Sequence, residues 1–179
     1  MTLDEFLEWE NRQELRYEFD GVGPVAMTGG TQEHNQIARN LTSGLHQRLR
    51  GTPCQVLGSD MKIRVAGHIR YPDALVVCSK HPRGTLVYDD PVVVFEVLSP
   101  GTAGIDRIVK SQEYLDTPSI QRYVMLEQNF QGAMVLTRQG ESWAVAVVKG
   151  DATISLPEIG TELPLAELYE GVDLPDPPA

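Results

Sequence analysis

Cysteine is scarce in this chain, and basic residues are outnumbered. The only two cysteines, Cys54 and Cys78, lie far apart with no C-x-x-C spacing. That argues against a zinc site and gives no sign of a disulfide scaffold, so the thiols are expected to be reduced. Lys and Arg number 15 against 25 Asp and Glu, a formal charge of −10. Such a balance disfavours a surface that grips nucleic acid non-specifically. A polynucleotide substrate would need a local basic patch within an acidic whole. No apolar run approaches the roughly 20 residues that span a bilayer. The start, Met1-Thr2-Leu3-Asp4-Glu5, is acidic and amphipathic, not a signal peptide. A cytoplasmic protein is the expectation. A glycine-lysine phosphate loop, a nucleophile elbow and an H-E-x-x-H motif are also missing.

What is present is ordinary for a soluble globular protein: 179 residues, 41% apolar and 22% charged. That length suits one α/β domain with a good core, expected over 1–172, with a disordered tail over 173–179. Thr2 and Glu5 have capping-box spacing and predict a helix through about Trp9, with Phe6 and Leu7 turned inward. Leu15 to Phe19 and Val25 to Thr28 read as paired strands around a glycine turn. Thr31 caps a helix from Gln32 to about Arg50, whose Ile37, Leu41, Leu45 and Leu49 form one apolar stripe. Cys54 to Leu57 and Met61 to Val65 read as strands, and Lys80 to Pro91 as a polar loop. Further on, Arg122 to Leu126, a hairpin around Gln139-Gly140, and Thr153 to Leu156 are predicted strands. Leu165 to Tyr169 closes with a helical turn.

The chemistry concentrates between Tyr71 and Tyr114. Tyr71 to Cys78 and Val92 to Leu98 are nearly continuous apolar runs, as expected of strands buried on both faces. Each nevertheless carries one carboxylate, Asp73 and Glu96. An ionised carboxylate in such a run is expensive unless it is paired, hydrogen-bonded or holding a metal. If the strands are neighbours, two like charges about 4 Å apart repel by roughly 4 kcal/mol at an effective dielectric of 20. A cation between them would relieve this. Taken singly, Asp73 is a strand-start acid, and Glu96 has a partner available in Arg70 or Arg107.

Lys110 stands on the next predicted helix, sharing a face with Asp106 and Tyr114 at i, i+4 spacing. Its ordinary reading is a solvated lysine paired with Asp106. Glu18 alternates with aromatics on an early strand, where a solvent-facing position is the simpler reading. His34 and Asn35 open a helix with free N–H groups, where an anion can bind.

These residues together resemble the PD-(D/E)XK nuclease superfamily, on Pro72-Asp73 and Glu96-Val97-Leu98. More closely, the chain resembles the bacterial restriction-endonuclease-like family often called Uma-two. The matching stretches are Tyr17-Glu18-Phe19, Met27-Thr28-Gly29-Gly30-Thr31, Glu33-His34-Asn35, Gly58-Ser59-Asp60-Met61 and Tyr71-Pro72-Asp73. Further on come Glu96-Val97-Leu98-Ser99-Pro100, Asp106-Arg107 with Lys110 and Tyr114, and Leu163-Pro164-Leu165-Ala166-Glu167-Leu168-Tyr169. They span nearly the whole sequence.

The resemblance implies a restriction-endonuclease-like core, a central mixed β-sheet flanked by helices, with Asp73 and Glu96 holding Mg²⁺ (Mn²⁺ as an alternative). It implies an early acidic residue at Glu18. The superfamily's lysine falls at Leu98 here, and the family resemblance moves it to Lys110. His34, Asn35 and Tyr114 are then candidate substrate contacts, and a homodimer is implied. The expected activity is hydrolysis of phosphodiester bonds in nucleic acid, DNA foremost. The acidic charge leaves two rivals, a non-catalytic dimeric interaction protein on the same fold and a small-molecule phosphodiesterase.

Overall fold

A computed structural model describes residues 1–27, 29–99 and 105–175, the side chains of residues 105–107 excepted. The fold is mixed α/β, with central mixed sheets flanked by helices, and the described residues divide the expected sheet into two larger ones. In order, the elements are α1 (Leu3–Glu10), β1 (Tyr17–Phe19), β2 (Pro24–Ala26), α2 (Gln32–Leu49), β3 (Gln55–Gly58), β4 (Lys62–Val65), β5 (His68–Arg70), β6 (Ala74–Val77) and β7 (Val87–Tyr88). There follow β8 (Val93–Val97), α3 (Ile105–Leu115), β9 (Arg122–Leu126), β10 (Gly132–Gln139), β11 (Ser142–Lys149), β12 (Thr153–Leu156), β13 (Thr161–Pro164) and α4 (Leu165–Leu168). A six-stranded sheet runs β11-β10-β9-β8-β6-β3, a five-stranded sheet β2-β1-β5-β4-β7, and β12 pairs with β13. Each larger sheet is mixed, with β8 parallel to β9 in one and β4 parallel to β7 in the other. Among the described residues, no helix is long and apolar enough to cross a membrane.

The apolar runs explain the layering. Ala74, Val76, Val93, Phe95 and Val97 face the α2 stripe of Ile37, Leu41, Leu45 and Leu49 in one core cluster. Leu75, Val77 and Val94 face the other way, against Tyr114, Ile63 and Tyr123. β6 and β8 are therefore buried on both faces. Burying each stripe residue of α2 gives about 1.5–3 kcal/mol. Four of them easily outweigh the roughly 1 kcal/mol that Gly44 costs inside the helix. Thr2 and Glu5 close the capping box of α1 reciprocally, at 2.7 and 3.2 Å.

Several boundaries differ from those expected. The strand predicted from Tyr71 to Cys78 begins later, at Ala74, and a strand not predicted, β5, ends before it at Arg70 in the other sheet. Tyr71-Pro72-Asp73 is the crossover between sheets, and Pro72, lacking an N–H, suits a link outside both ladders. Leu15 is 67% exposed and precedes β1. β7 lies inside the stretch expected to be loop, because a two-residue strand leaves too short a pattern to read. The β4–β5 hairpin turns on Ala66 and Gly67, with φ of +47° and +84°. Leu174 packs against the α2 core cluster. Thr28, the Pro100-Gly101-Thr102 stretch, the Asp106 side chain and residues 176–179 lie outside the described residues.

The cysteines also correct the sequence reading. Cys54 and Cys78 form a disulfide across 24 residues of sequence. β3 and β6 are antiparallel with Gln55 opposite Val77, so the next pair outward is Cys54 with Cys78. Sequence distance concealed a cross-strand pair. The argument for a cytoplasmic site from reduced thiols falls with it.

Candidate active site

Asp73 and Glu96 meet through strand register. Ala74 pairs with Phe95 in the antiparallel β6–β8 ladder, and one step further sets Asp73 across from Glu96. Residues directly opposite share a face, with Cβ atoms about 4.5–5.5 Å apart. Asp73 Oδ2 accepts the Val97 N–H at 2.7 Å, and Oδ1 lies 3.2 Å from His34 Nε2. That hydrogen bond raises the His34 pKa above its ordinary value, burial only partly opposing it. Glu96 Oε1 accepts the Tyr114 hydroxyl at 2.7 Å. Burial pushes the Glu96 carboxyl up to about 8, and the Asp73 charge adds to the push. The Lys110 ammonium and the Tyr114 hydroxyl pull it back.

The Lys110 ammonium turns toward β1. Its Nζ lies 3.0 and 2.8 Å from the two oxygens of Glu18, which is 6% exposed on β1. Burial works against the lysine's charge, but the carboxylates of Glu96 and Glu18 outweigh it and raise its pKa. Glu18 also accepts the Tyr71 N–H at 3.2 Å and the Arg70 guanidinium at 3.3 Å. Arg70 is bidentate to Glu113 of α3, at 2.6 and 2.7 Å. Arg70 thus pairs with Glu113 and Glu18, leaving Glu96 to Tyr114. The alternation around Glu18 could not reveal its inward face, because Glu18 and the adjacent Phe19 are both buried and β1 is covered on both faces.

The remaining candidates divide. His34 and Asn35 open α2 and line a cleft of about 450 Å³ together with Asp73, Ser59 and Arg16. Thr31 caps the helix through the His34 N–H at 3.2 Å. A Cβ at Gly30 would come within 2.9 Å of His34 Nδ1, so glycine admits the ring's approach to Asp73. Arg16 brings a basic charge to the cleft, although Asp60 holds it at 2.7 Å. Tyr114 is fully buried, edge-on to Tyr123 at 4.9 Å. Its hydroxyl is spent on Glu96, and it does not line the cleft with His34 and Asn35. Its helical spacing from Lys110 predicted a shared face, and Tyr114 packs that face of α3 onto the sheet.

Sequence reasoning missed the network of Arg70 and Glu113. Arg70 adjoins the Tyr71-Pro72-Asp73 motif and Glu113 falls at i+3 from Lys110, which are the only signals. Also missed was the buried Glu10, 6% exposed, which ion-pairs with Lys62 and accepts the Tyr71 hydroxyl at 2.6 Å.

The donor set tests the metal expectation. Among the described residues, no three His, Cys, Asp or Glu side chains gather as a complete cage. Mg²⁺ does not require one, because it keeps several waters and takes one or two carboxylates. Two adjoining carboxylates, one destabilised by burial and by its neighbour's charge, fit that preference.

Comparisons with known proteins match most of the chain. A family model, Uma2, with the description "Putative restriction endonuclease", matches residues 3–166. The uncharacterized protein slr1290 of Synechocystis sp. (strain ATCC 27184 / PCC 6803 / Kazusa) is 28% identical over 176 residues, 96% of this chain and 93% of its own length. A second Synechocystis protein, sll1609, is 27% identical over 134 residues, covering 72% of this chain and 75% of its own. Among solved structures, a protein of Anabaena variabilis ATCC 29413, described as a putative nuclease belonging to DUF820, shares the fold. Its TM-score is 0.79 over 95% of this chain and 98% of that one, at 19% identity.

Proposed function

The chain belongs to the Uma2 family, described as "Putative restriction endonuclease", and on that premise we propose that it is a divalent-metal-dependent nuclease. Its substrate is nucleic acid, DNA foremost, and it works as a homodimer. The observation that carries the reading is the placement of Asp73 and Glu96 side by side, with the Lys110 charge beside Glu96. Asp73 and Glu96 would hold Mg²⁺, or Mn²⁺, which when bound polarises a phosphate and acidifies a water.

The chain's own residues set up the rest. Lys110 supplies a fixed positive charge for the negative charge that develops on the phosphate. Glu18 is its positioning residue: both oxygens already receive donors, so it anchors the lysine and is not a free base. Burial raises the Tyr114 hydroxyl well above its ordinary pKa, which keeps it a donor that orients Glu96 Oε1. His34 and Asn35, at the N-terminus of α2, face the cleft where a phosphate would approach.

The test is nicking of supercoiled plasmid in Mg²⁺ by the wild type, Asp73→Asn and Glu96→Gln, with EDTA as control. Cleavage by the wild type alone, abolished by EDTA, is the expected result. Cleavage of a dinucleotide but not of plasmid or RNA would assign a small-molecule phosphodiesterase instead. Inactivity on all three would favour the non-catalytic interaction protein.

A further inference from the structure

Among the described residues, the outer edge of the six-stranded sheet is formed by β11, eight residues long and paired on one side only, with β10. From Ser142 to Val148 it contains no charge and no proline. Soluble proteins ordinarily guard such an edge with charges, proline or a bulge, because its free N–H and C=O groups invite another strand. Here it is bare and apolar: Val145 is 61% exposed and Val147 59%. The β10 register sets Val147 opposite Met134, Val145 opposite Leu136 and Trp143 opposite Arg138. Trp143, Val145 and Val147 thus stand on one face, continuing that of the buried Leu136. The Arg138 guanidinium lies over the Trp143 ring, 4.4 Å from its centroid, and steadies it.

We propose that β11 pairs antiparallel with β11 of a second copy, about a two-fold axis through Val145, joining the two six-stranded sheets into one. A second copy is singled out because the strand is complementary to itself in one register. Side chains alternate between faces, so a two-fold perpendicular to the sheet must pass through a residue, not between two. Centred on Val145, Trp143 meets the partner's Val147, Ala144 meets the partner's Ala146, and Ser142 meets the partner's Val148. The ends then pair Glu141 with the partner's Lys149, twice. Centring on Ala146 would set Glu141 against the partner's Asp151. Centring on Ala144 would leave Glu141 facing Val147 and Lys149 facing Gln139. Only the Val145 register matches apolar with apolar and acid with base, which is how cross-strand pairs stabilise a sheet. The turn tolerates this, since Gly140, with φ of +63°, carries the bend and leaves Glu141 at the strand mouth.

This takes up the homodimer of the proposed function but is independent of its chemistry, so the two can fail separately. Sedimentation velocity over a concentration series reads the assembly, for wild type, Val145→Lys, Glu141→Lys and the double reversal Glu141→Lys/Lys149→Glu. The wild type should dimerise, and Val145→Lys, which sets two lysines against each other on the axis, should be monomeric. Glu141→Lys should weaken the dimer about tenfold or more, and the double reversal should restore it. Asp73→Asn should remain dimeric whatever its activity. Glu141 lies in a surface turn, so the charge arms hold even if Val145→Lys folds poorly. A wild type that stays monomeric at about 100 µM, or a dimer indifferent to both Val145→Lys and the charge reversals, overturns the proposal.

Discussion

Arg70 offers the sharpest test of how the site is held. Its guanidinium is 4% exposed and lies between Glu113 and Glu18, 5% and 6% exposed. Arg70→Met keeps the bulk and removes the charge, leaving two carboxylates without their shared partner. Removing one member of a buried pair costs about 3–5 kcal/mol, because the remaining charge stays buried. For a chain of this length each kcal/mol lowers Tm by about 2–4 °C, so a drop of roughly 10 °C is expected. Lys110 and the Tyr71 N–H still serve Glu18, so the larger share of the loss belongs to Glu113. Arg70→Met/Glu113→Leu should therefore recover most of it, since an apolar replacement of a whole buried pair is often near neutral. Urea unfolding at constant m-value measures all three proteins. A loss under about 1 kcal/mol for Arg70→Met, or a double variant less stable than the single, would show that the ion pair is not what fastens α3 to β5.

Other perturbations reach different parts of the molecule. Lys110→Met should lower plasmid nicking by about 10²–10³-fold, and, because the lysine is paired to a buried carboxylate, should also lower stability by about 1–3 kcal/mol; full activity would remove the lysine from the mechanism. In EDTA, Glu96→Gln should make Tm less dependent on pH. Its folded pKa of about 8 exceeds the ordinary 4.5, so the stability present below pH 4.5 is lost as pH rises toward 8. Parallel Tm–pH curves for the two proteins would contradict this. Cys54→Ser/Cys78→Ser should be about 3 kcal/mol less stable than the oxidised wild type, from the loop of 24 residues it opens. Urea unfolding with and without reductant measures that. Ala66→Gly should raise stability by about 0.5–1 kcal/mol, since a φ of +47° suits glycine better; an unchanged urea midpoint would speak against strain in that turn.

Pattern revealed what runs long enough to have a period. The α2 stripe and the double-sided burial of β6 and β8 were legible because each is a repeated choice along the chain. Asp73 and Glu96 stood out as exceptions within apolar runs. The crossover at Tyr71-Pro72-Asp73 was not legible, since β5, His68-Ile69-Arg70, is too short to show a period and runs straight into the link. The Arg70–Glu113 pairing joins residues 43 apart through the docking of a helix on a sheet, which no local window contains. The disulfide hid for the same reason: its partners are neighbours only once β3 and β6 are in register.

The three-residue crossover bears on the order in which the molecule assembles. Asp73 leads directly into one sheet, while Arg70 and Glu18, which secure Lys110, belong to the other, and only Tyr71 and Pro72 separate Arg70 from Asp73. Either sheet can close its own ladder first, yet the lysine reaches the carboxylates only after both have docked and α3 has settled between them. Contacts of such long sequence separation form late in folding. Local opening of the five-stranded sheet would then release the lysine while β6, β8 and their two acids stay in place. Hydrogen exchange would see this as early loss of protection at β1 and β5 with β8 still closed.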